Sequence, residues 1–423
     1  MIDTIGAAGR RHPPAGGVTT RPRWTNLAGG GAGARQARQR GYSGGIRLQL
    51  SFTNEQDEFR SVLRRFLQDR SPPGVVRRLM ETEAGWERDG WLELNQQLGL
   101  TGVHIPEEFG GQGFGFVELG IVLEEMGRAL LCAPYFSTAV LAATAIMNGA
   151  SKSQQAALLP PIALGEVVAT LAFTEPNGRW DASGIEMTAT PGGGKHRLDG
   201  MKSFVLDGHS ADLLVVAARA PGSSGEDGLS LFTVRADAAG LTRRPLRVLD
   251  PTRKQARLEF RGVEAELLGE LGGAAGPLDR TLTLAAVCLA SEMVGGAERL
   301  RVSALDYANL RMQFGRPIAS FQSMKHKQAD MLVNVELAKS AAYAAASAAA
   351  EDDADLPAIA ALAKACASEA YLQTAIDTIQ IHGGIGFTWD NDTHLWFKRA
   401  KSSEVFLGDP AWHRERMMRA WAE

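Results

Sequence analysis

A mainly helical α+β fold, helical at both ends with strands between, is what this chain of 423 residues predicts. Three observations carry that reading. Apolar residues recur at helical spacing from Phe59 onward, short apolar runs separated by turn residues fill 166–270, and alanine-rich helical sequence returns from about Leu278. The expected organisation is a disordered Arg/Gly-rich tail over 1–50, an N-terminal helical domain over 51–165, a central β domain over 166–270 and a C-terminal helical bundle over 271–423.

The tail is rich in arginine (Arg10, Arg11, Arg21, Arg23, Arg35, Arg38 and Arg40 among them) and glycine, with only Asp3 as an acid and no hydrophobic period. A mitochondrial presequence shares that composition but forms an amphipathic helix, which the glycines and Pro13-Pro14 oppose. It is read as a disordered tail or an over-long start, and is set apart from the fold. Order begins near Thr53, whose hydroxyl can cap a helix with Gln56 as the reciprocal partner. Phe59, Val62, Leu63, Phe66 and Leu67 then form one stripe. A second helix is expected over roughly Gly115 to Leu131, stopping before Pro134. From Glu166 the runs VATLAFTEP, GIEMTATP, HRLDG, MKSFVLDG, ADLLVVAARA, GLSLFTVRA and QARLEFRGV read as separate strands, parted by turn clusters such as Pro191 to Gly194 and Pro221 to Gly228. Beyond Leu278 the chain is helical again. Its alanines between Leu337 and Ala350 suit close helix packing, and Pro357 marks a helix start.

A formal net charge of -3 gives no global reason to expect nucleic acid or an anionic membrane as partner. Cys132, Cys288 and Cys366 sit singly in apolar surroundings without metal or redox spacing, so reduced, buried thiols are expected. No apolar run is long enough to span a bilayer. Together these read as a soluble cytoplasmic chain.

Five segments in order resemble the acyl-CoA dehydrogenase family, over about residues 51 to 416. LGLTGVHIPEEFGGQGFG (Leu98 to Gly115) is similar to the family's loop ahead of a helix bearing EEMGR, Glu124 to Arg128. There Glu124 and Glu125 read as ion-paired surface groups. LAFTEPNGRWDASGIEMTA resembles the strand and loop beside the flavin ring, which implies that Phe173 and Thr174 border the isoalloxazine. The family's usual Gly-Ser-Asp is here Gly178-Arg179-Trp180-Asp181, and the bulk of Arg179 and Trp180 implies a reshaped or partly filled pocket. In DGMKSFVLDG, Phe204 stands at the family's flavin-flanking tryptophan and Leu206 at its threonine. YANLRMQFGRPIASFQSMKHKQADM resembles the element that meets the FAD pyrophosphate of a neighbouring subunit. Arg311 then supplies a guanidinium fork, with Phe314 and Gln322 beside the adenosine half. Lys325, His326 and Lys327 point different ways on a helix and read as a solvated face. QIHGGIGF resembles the family's QxxGGxG turn, in which Gln380, Gly383 and Gly384 approach the same pyrophosphate.

The resemblance implies a four-helix C-terminal bundle, FAD as cofactor, an acyl-CoA substrate, an acceptor such as an electron-transfer flavoprotein, and a homo- or hetero-oligomer, a dimer of dimers. It also exposes a gap. The family's catalytic glutamate, which takes the α proton while a hydride leaves the β carbon, is here Leu407, before Gly408. The backbone amide that binds the thioester oxygen is kept, so Phe406 and Leu407 are the substrate-facing candidates. Some relatives carry the base ten residues before a glycine aligned with Gly295, and that position is Ala285. The nearby acids Glu292, Glu404 and Asp409 read as structural or surface carboxylates; Glu292 stands about 10 Å along the helix from Ala285. The favoured expectation is a base-less subunit that lends FAD-binding surface to a related chain. The alternatives are a self-sufficient dehydrogenase with a relocated base, or an acyl-CoA binder without flavin.

Overall fold

The structure is a computed structural model that describes residues 52–422; the reading of 1–50 as a tail lies outside the described residues. Helix α1 (Asn54–Arg70) opens on the expected reciprocal cap, Gln56 N–H donating to the Thr53 hydroxyl and Thr53 N–H to the Gln56 side chain. It buries Leu63 and Leu67 and half-buries Phe59, Val62 and Phe66. Helices α2 (Pro73–Glu81) and α3 (Arg88–Leu98) follow, then α4 (Phe116–Ala129), a π-helical turn over Phe136–Ala143 running into α5 (Thr144–Gly149), and α6 (Lys152–Ala163).

The central sheet comprises β1 (Ala169–Ala172), β2 (Thr188–Gly192), β3 (Lys195–Leu206), β4 (Leu213–Arg219), β5 (Leu229–Arg235), β6 (Leu241–Pro245) and β7 (Gln255–Leu268). β4, β2, β3, β7 and β5 pair into a closed ring, with β1 beside β4 and β6 beside β7. One strand expectation is corrected and one strand, β6, is additional. HRLDG and MKSFVLDG form the single strand β3, because Gly200 takes φ +145 at a bulge against β7 where a turn was read. β6 has no apolar alternation and gains its place only by pairing with β7.

Helix α7 (Ala275–Leu310) leads through a short hairpin, β8 (Met312–Gln313) and β9 (Arg316–Pro317), to α8 (Gln322–Glu351), α9 (Leu356–His382), α10 (Thr393–Val405) and α11 (Pro410–Ala422). Pro357 lies in the first turn of α9, as expected. The alanine run buries Ala342, Ala345, Ala346, Ala348 and Ala349 in the bundle. α4 and α7 cross almost backbone to backbone: a Cβ on Gly295 would lie 1.8 Å from the Glu124 carbonyl oxygen, and one on Gly127 2.0 Å from that of Glu292. Beside the crossing, Glu124 and Glu125 are ion-paired as expected but buried rather than on the surface. Arg64 grips Glu125 through two bonds of 2.9 and 2.6 Å, while Arg60 and the Tyr343 hydroxyl reach Glu124. Their partners come from α1 and α8, so no local spacing announced the burial.

Cys132 and Cys288 are buried free thiols, Cys366 is half-buried, and burial pushes the Cys132 thiol up to about 12. Among the described residues no helix is long and apolar enough to cross a membrane. Gly295→Ala is expected to lower the urea midpoint by about 2–3 kcal/mol of stability, since the α4 backbone must move to admit the methyl. An unchanged midpoint would contradict so close a crossing.

Candidate active site

Three groups of residues make up the site, each set by a different element. The first lies between the loop leaving β1 and the end of β3. Phe173 and Thr174 are buried there, and Ser203 N–H donates to the Thr174 carbonyl at 2.8 Å. The pairing of β3 with β7 slips between Lys202 and Val205. Within that bulge Phe204 adopts φ +59, strained for an aromatic residue, and stands 39% exposed. A side chain that alternation alone would place inward is thus turned out, while Leu206 is buried.

The second group sits where α7 and α9 end together. Tyr307, one turn before Arg311, stacks on His382 with ring centroids 4.3 Å apart, and His382 directly precedes Gly383. The Arg311 and Gly383-Gly384 segments therefore share one end of the bundle. Arg311 is exposed and forms no ion pair among the described residues. Phe314 stands at φ +52 and 92% exposed on the β8–β9 hairpin. A Cβ on Gly383 or Gly384 would meet nothing within 4 Å, and Gly383 has φ +64, which a side chain resists. Gln380 and Gln322 are exposed, Gln322 bonding to His326 at 2.9 Å. Lys325 is exposed, but Lys327 is tied to Asp377 at 2.5 Å, a structural bond rather than part of a freely solvated face.

The third group is the turn from α10 to α11. Leu407 takes φ +61 and is 3% exposed, and Phe406 is buried beside it. The turn is held by its carbonyls. Lys364, fully buried on α9, donates to the Glu404 carbonyl at 3.2 Å and the Gly408 carbonyl at 3.0 Å, and His413 Nε2 donates to the Leu407 carbonyl at 2.9 Å. Burial pulls the Lys364 ammonium down to about 7, with Glu404 and Asp409 opposing. The Leu407 N–H donates to no other described group.

The space around Leu407 is filled. Phe406 meets Trp180 and Phe136 edge to face at 5.5 and 5.8 Å, and Trp180 reaches Phe173 at 6.1 Å. Arg253 lies over the rings of both Phe136 and Phe406. Its guanidinium is bonded to Glu292 and, at 3.1 Å, to the Ser403 hydroxyl. Arg399 bonds Glu292 at 2.7 Å, Asp250 at 2.6 Å and the Thr252 hydroxyl at 2.7 Å. The cavity touching Leu407, lined also by Trp180, Leu282, Trp412 and His413, holds about 10 Å³, and the one beyond Phe136 about 40 Å³. Ligand pockets hold about 300–1,000 Å³. Arg179, by contrast, is exposed and bonds to Ser183, so of the two bulky residues only Trp180 fills the site.

The acids near the turn are engaged elsewhere. Glu292 is held by two arginines, Glu404 pairs with Lys401, and Asp409 accepts from the Trp412 N–H at 2.8 Å to cap α11. Ala285 is buried. Sequence reasoning missed Lys364, Arg253, Arg399 and Asp207; a lone lysine among the alanines of α9 was a usable signal, whereas the others have none. Asp207 lines the cavity beyond Phe136 and accepts from the Ser137 hydroxyl at 2.6 Å; burial pushes its carboxyl up to about 7.

Family models for the acyl-CoA dehydrogenase N-terminal, middle and C-terminal domains match residues 53–166, 170–263 and 278–422. The acyl-CoA dehydrogenase IpdE2 of Mycobacterium tuberculosis is 34% identical over 80% of this chain and 88% of its own. A solved steroid ACAD, a variant of Tcur3481-Tcur3483, aligns with TM-score 0.78 at 31% identity over 87% of this chain and 98% of that one. The ChsE4-ChsE5 complex from Mycobacterium tuberculosis aligns with TM-score 0.79 at 27% identity over 88% and 99%.

Asp207 supplies a pH test of this site. Its folded carboxyl binds a proton up to about 7, far above the unfolded value of 3.8, so its contribution to stability is lost as pH rises through 7. Asp207→Asn, which does not titrate, should therefore gain stability relative to the parent between pH 5 and pH 8 in urea unfolding. Parallel pH profiles would show that Asp207 is not held protonated.

Proposed function

The chain belongs to the acyl-CoA dehydrogenase family, oxidoreductases acting on CH–CH bonds, and we propose that it works as a subunit of a mixed assembly, completing the FAD site of a related chain that carries the base. One contrast carries this reading: the partner-facing surface is open and uncommitted, while the site at Leu407 is filled and without a carboxylate.

The exposed groups fit a dinucleotide. A guanidinium without an ion-pair partner matches a doubly charged pyrophosphate, and the bare Gly383-Gly384 backbone lets amides approach its oxygens. Gln380 and Gln322 add donors at the edge of that surface, and Phe314 offers an apolar face to an adenosine. Phe173, Thr174 and Phe204 would border the ring of a FAD in this chain's own site, separate from the one that Arg311 completes. FAD, when bound, supplies the acceptor for the hydride in α,β-desaturation of an acyl-CoA thioester.

Toward a thioester, this chain keeps half of the machinery. The Leu407 amide is a free donor in a turn pinned by Lys364 and His413, suited to an oxygen on which negative charge grows. No side chain at position 407 or 285 can take the α proton, and Phe406, Trp180, Phe136 and Arg253 occupy the volume an acyl chain needs. Two of the aligned structures support the assembly reading, because ChsE4-ChsE5 is a complex of two named chains and Tcur3481-Tcur3483 carries a paired name. The electron acceptor is proposed to be an electron-transfer flavoprotein, and the location cytoplasmic.

A self-sufficient enzyme with a relocated base has one observation in its favour, the protonatable Asp207 beside the Phe136 cavity; Asp207→Asn would then abolish turnover by the lone chain.

Flavin absorbance of the chain purified alone and after co-expression with a neighbouring dehydrogenase-like gene separates the readings. A full flavin load only with the partner is expected; bound FAD bleached by acyl-CoA in the lone chain would sink the mixed assembly. In the co-expressed assembly, Leu407→Glu alone should add no acyl-CoA-driven bleaching to that of the partner's site, and combining it with Trp180→Ala should add some. Added bleaching by the single variant would mean that the aromatic packing does not close the site.

A further inference from the structure

Lys202 and Glu175 form a buried pair that neither the fold nor the proposed chemistry yet uses. Lys202 is fully buried on β3, two residues before Phe204, and Glu175 directly follows Thr174. The ammonium donates to Glu175 at 2.7 Å and to the Phe173 carbonyl at 3.2 Å. Glu175 in turn accepts from the Glu186 and Met187 N–H groups at 3.0 and 2.9 Å, which draws the approach to β2 onto the same point. These two side chains tie together the Phe173–Thr174 loop, β3 just before the Phe204 bulge and the approach to β2, and the backbone bond from Ser203 N–H to the Thr174 carbonyl adds to the tie.

A structural role alone explains this poorly. Burying an ion pair commonly adds little stability over neutral side chains of similar volume. The cost here is visible: burial pulls Lys202 down to about 8, against the pull of Glu175, and Arg219 adds repulsion. What the pair does supply is geometry. The carbonyl of Phe173 and the backbone beside Phe204 are held to one ammonium, so the two segments cannot separate without stranding a charge.

We infer that Lys202 and Glu175 are positioning residues, a clamp that sets the spacing between the Phe173–Thr174 loop and the outward-turned Phe204, and thereby the slot for the flavin ring. The inference rests on the proposed FAD site. Neither side chain touches the ring; both act through the backbone on either side of it.

The test uses the full chain, in its assembly if FAD uptake requires the partner, with FAD as the probe and with the signal of the FAD in the partner's own site subtracted. Lys202→Met and the double variant Lys202→Met with Glu175→Gln are compared with the parent for unfolding midpoint, FAD affinity by flavin fluorescence, and visible circular dichroism of the flavin band at saturating FAD. The double variant removes both charges of the pair, and is expected to unfold at or above the parent midpoint while binding FAD at least about ten-fold more weakly, the equivalent of one charge-assisted hydrogen bond. The dichroic band should change shape in both variants, since the ring surroundings shift even when the site is saturated. A double variant with the parent's band shape and affinity overturns the clamp, whatever its stability. A parent that takes up no FAD, alone or with its partner, overturns the functional reading and the clamp with it.

Discussion

Four charges buried between the central sheet and the C-terminal helices hold this protein's site together. Asp250 and Arg253 come from the segment between β6 and β7, Glu292 from α7 and Arg399 from α10, and each anion meets an arginine. Their charges cancel, and Thr252 and Ser403 hydroxyls take further arginine N–H groups, which is the condition for tolerating such burial. Removing one member leaves a net charge in a buried interface, so the cluster locks the sheet to the helices. It also sets the aromatic packing, because Arg253 lies over both Phe136 and Phe406.

That packing separates two capacities carried by one stretch of chain. Residues from Gln380 onward present an open glycine turn at one end of the bundle, and about twenty residues later a sealed turn at Leu407. α10 stands between them, with Arg399 in the ionic cluster and Trp396 bonded to the Gly127 carbonyl at the helix crossing. Loss of a base at Leu407 therefore leaves the glycine turn unaffected. On the proposed reading this is how a chain without the glutamate remains part of a working dehydrogenase.

Much of this was legible in the sequence where the cause is local. The Thr53–Gln56 cap, the alanine packing of α8, the start of α9 at Pro357 and the leucine at position 407 all follow from neighbouring residues. What escaped notice depends on distant partners. Glu124 and Glu125 are buried because α1 brings Arg60 and Arg64; β6 exists because β7 offers an edge; Arg253 finds Ser403 and Glu292 from elements far along the chain. Phe204 turns outward because a bulge breaks the alternation that would have buried it. Trp180 was expected to fill the pocket and does pack on Phe406, while Arg179, its neighbour, turns to the surface.

The division of labour is tested most directly at Arg311, the exposed guanidinium with no ion-pair partner among the described residues. With Arg311→Ala in this chain alone, the FAD content of the purified mixed assembly is counted from its absorbance. The account predicts loss of flavin from the site that this chain completes, with the assembly still intact by size. Full flavin occupancy in the variant assembly would contradict it.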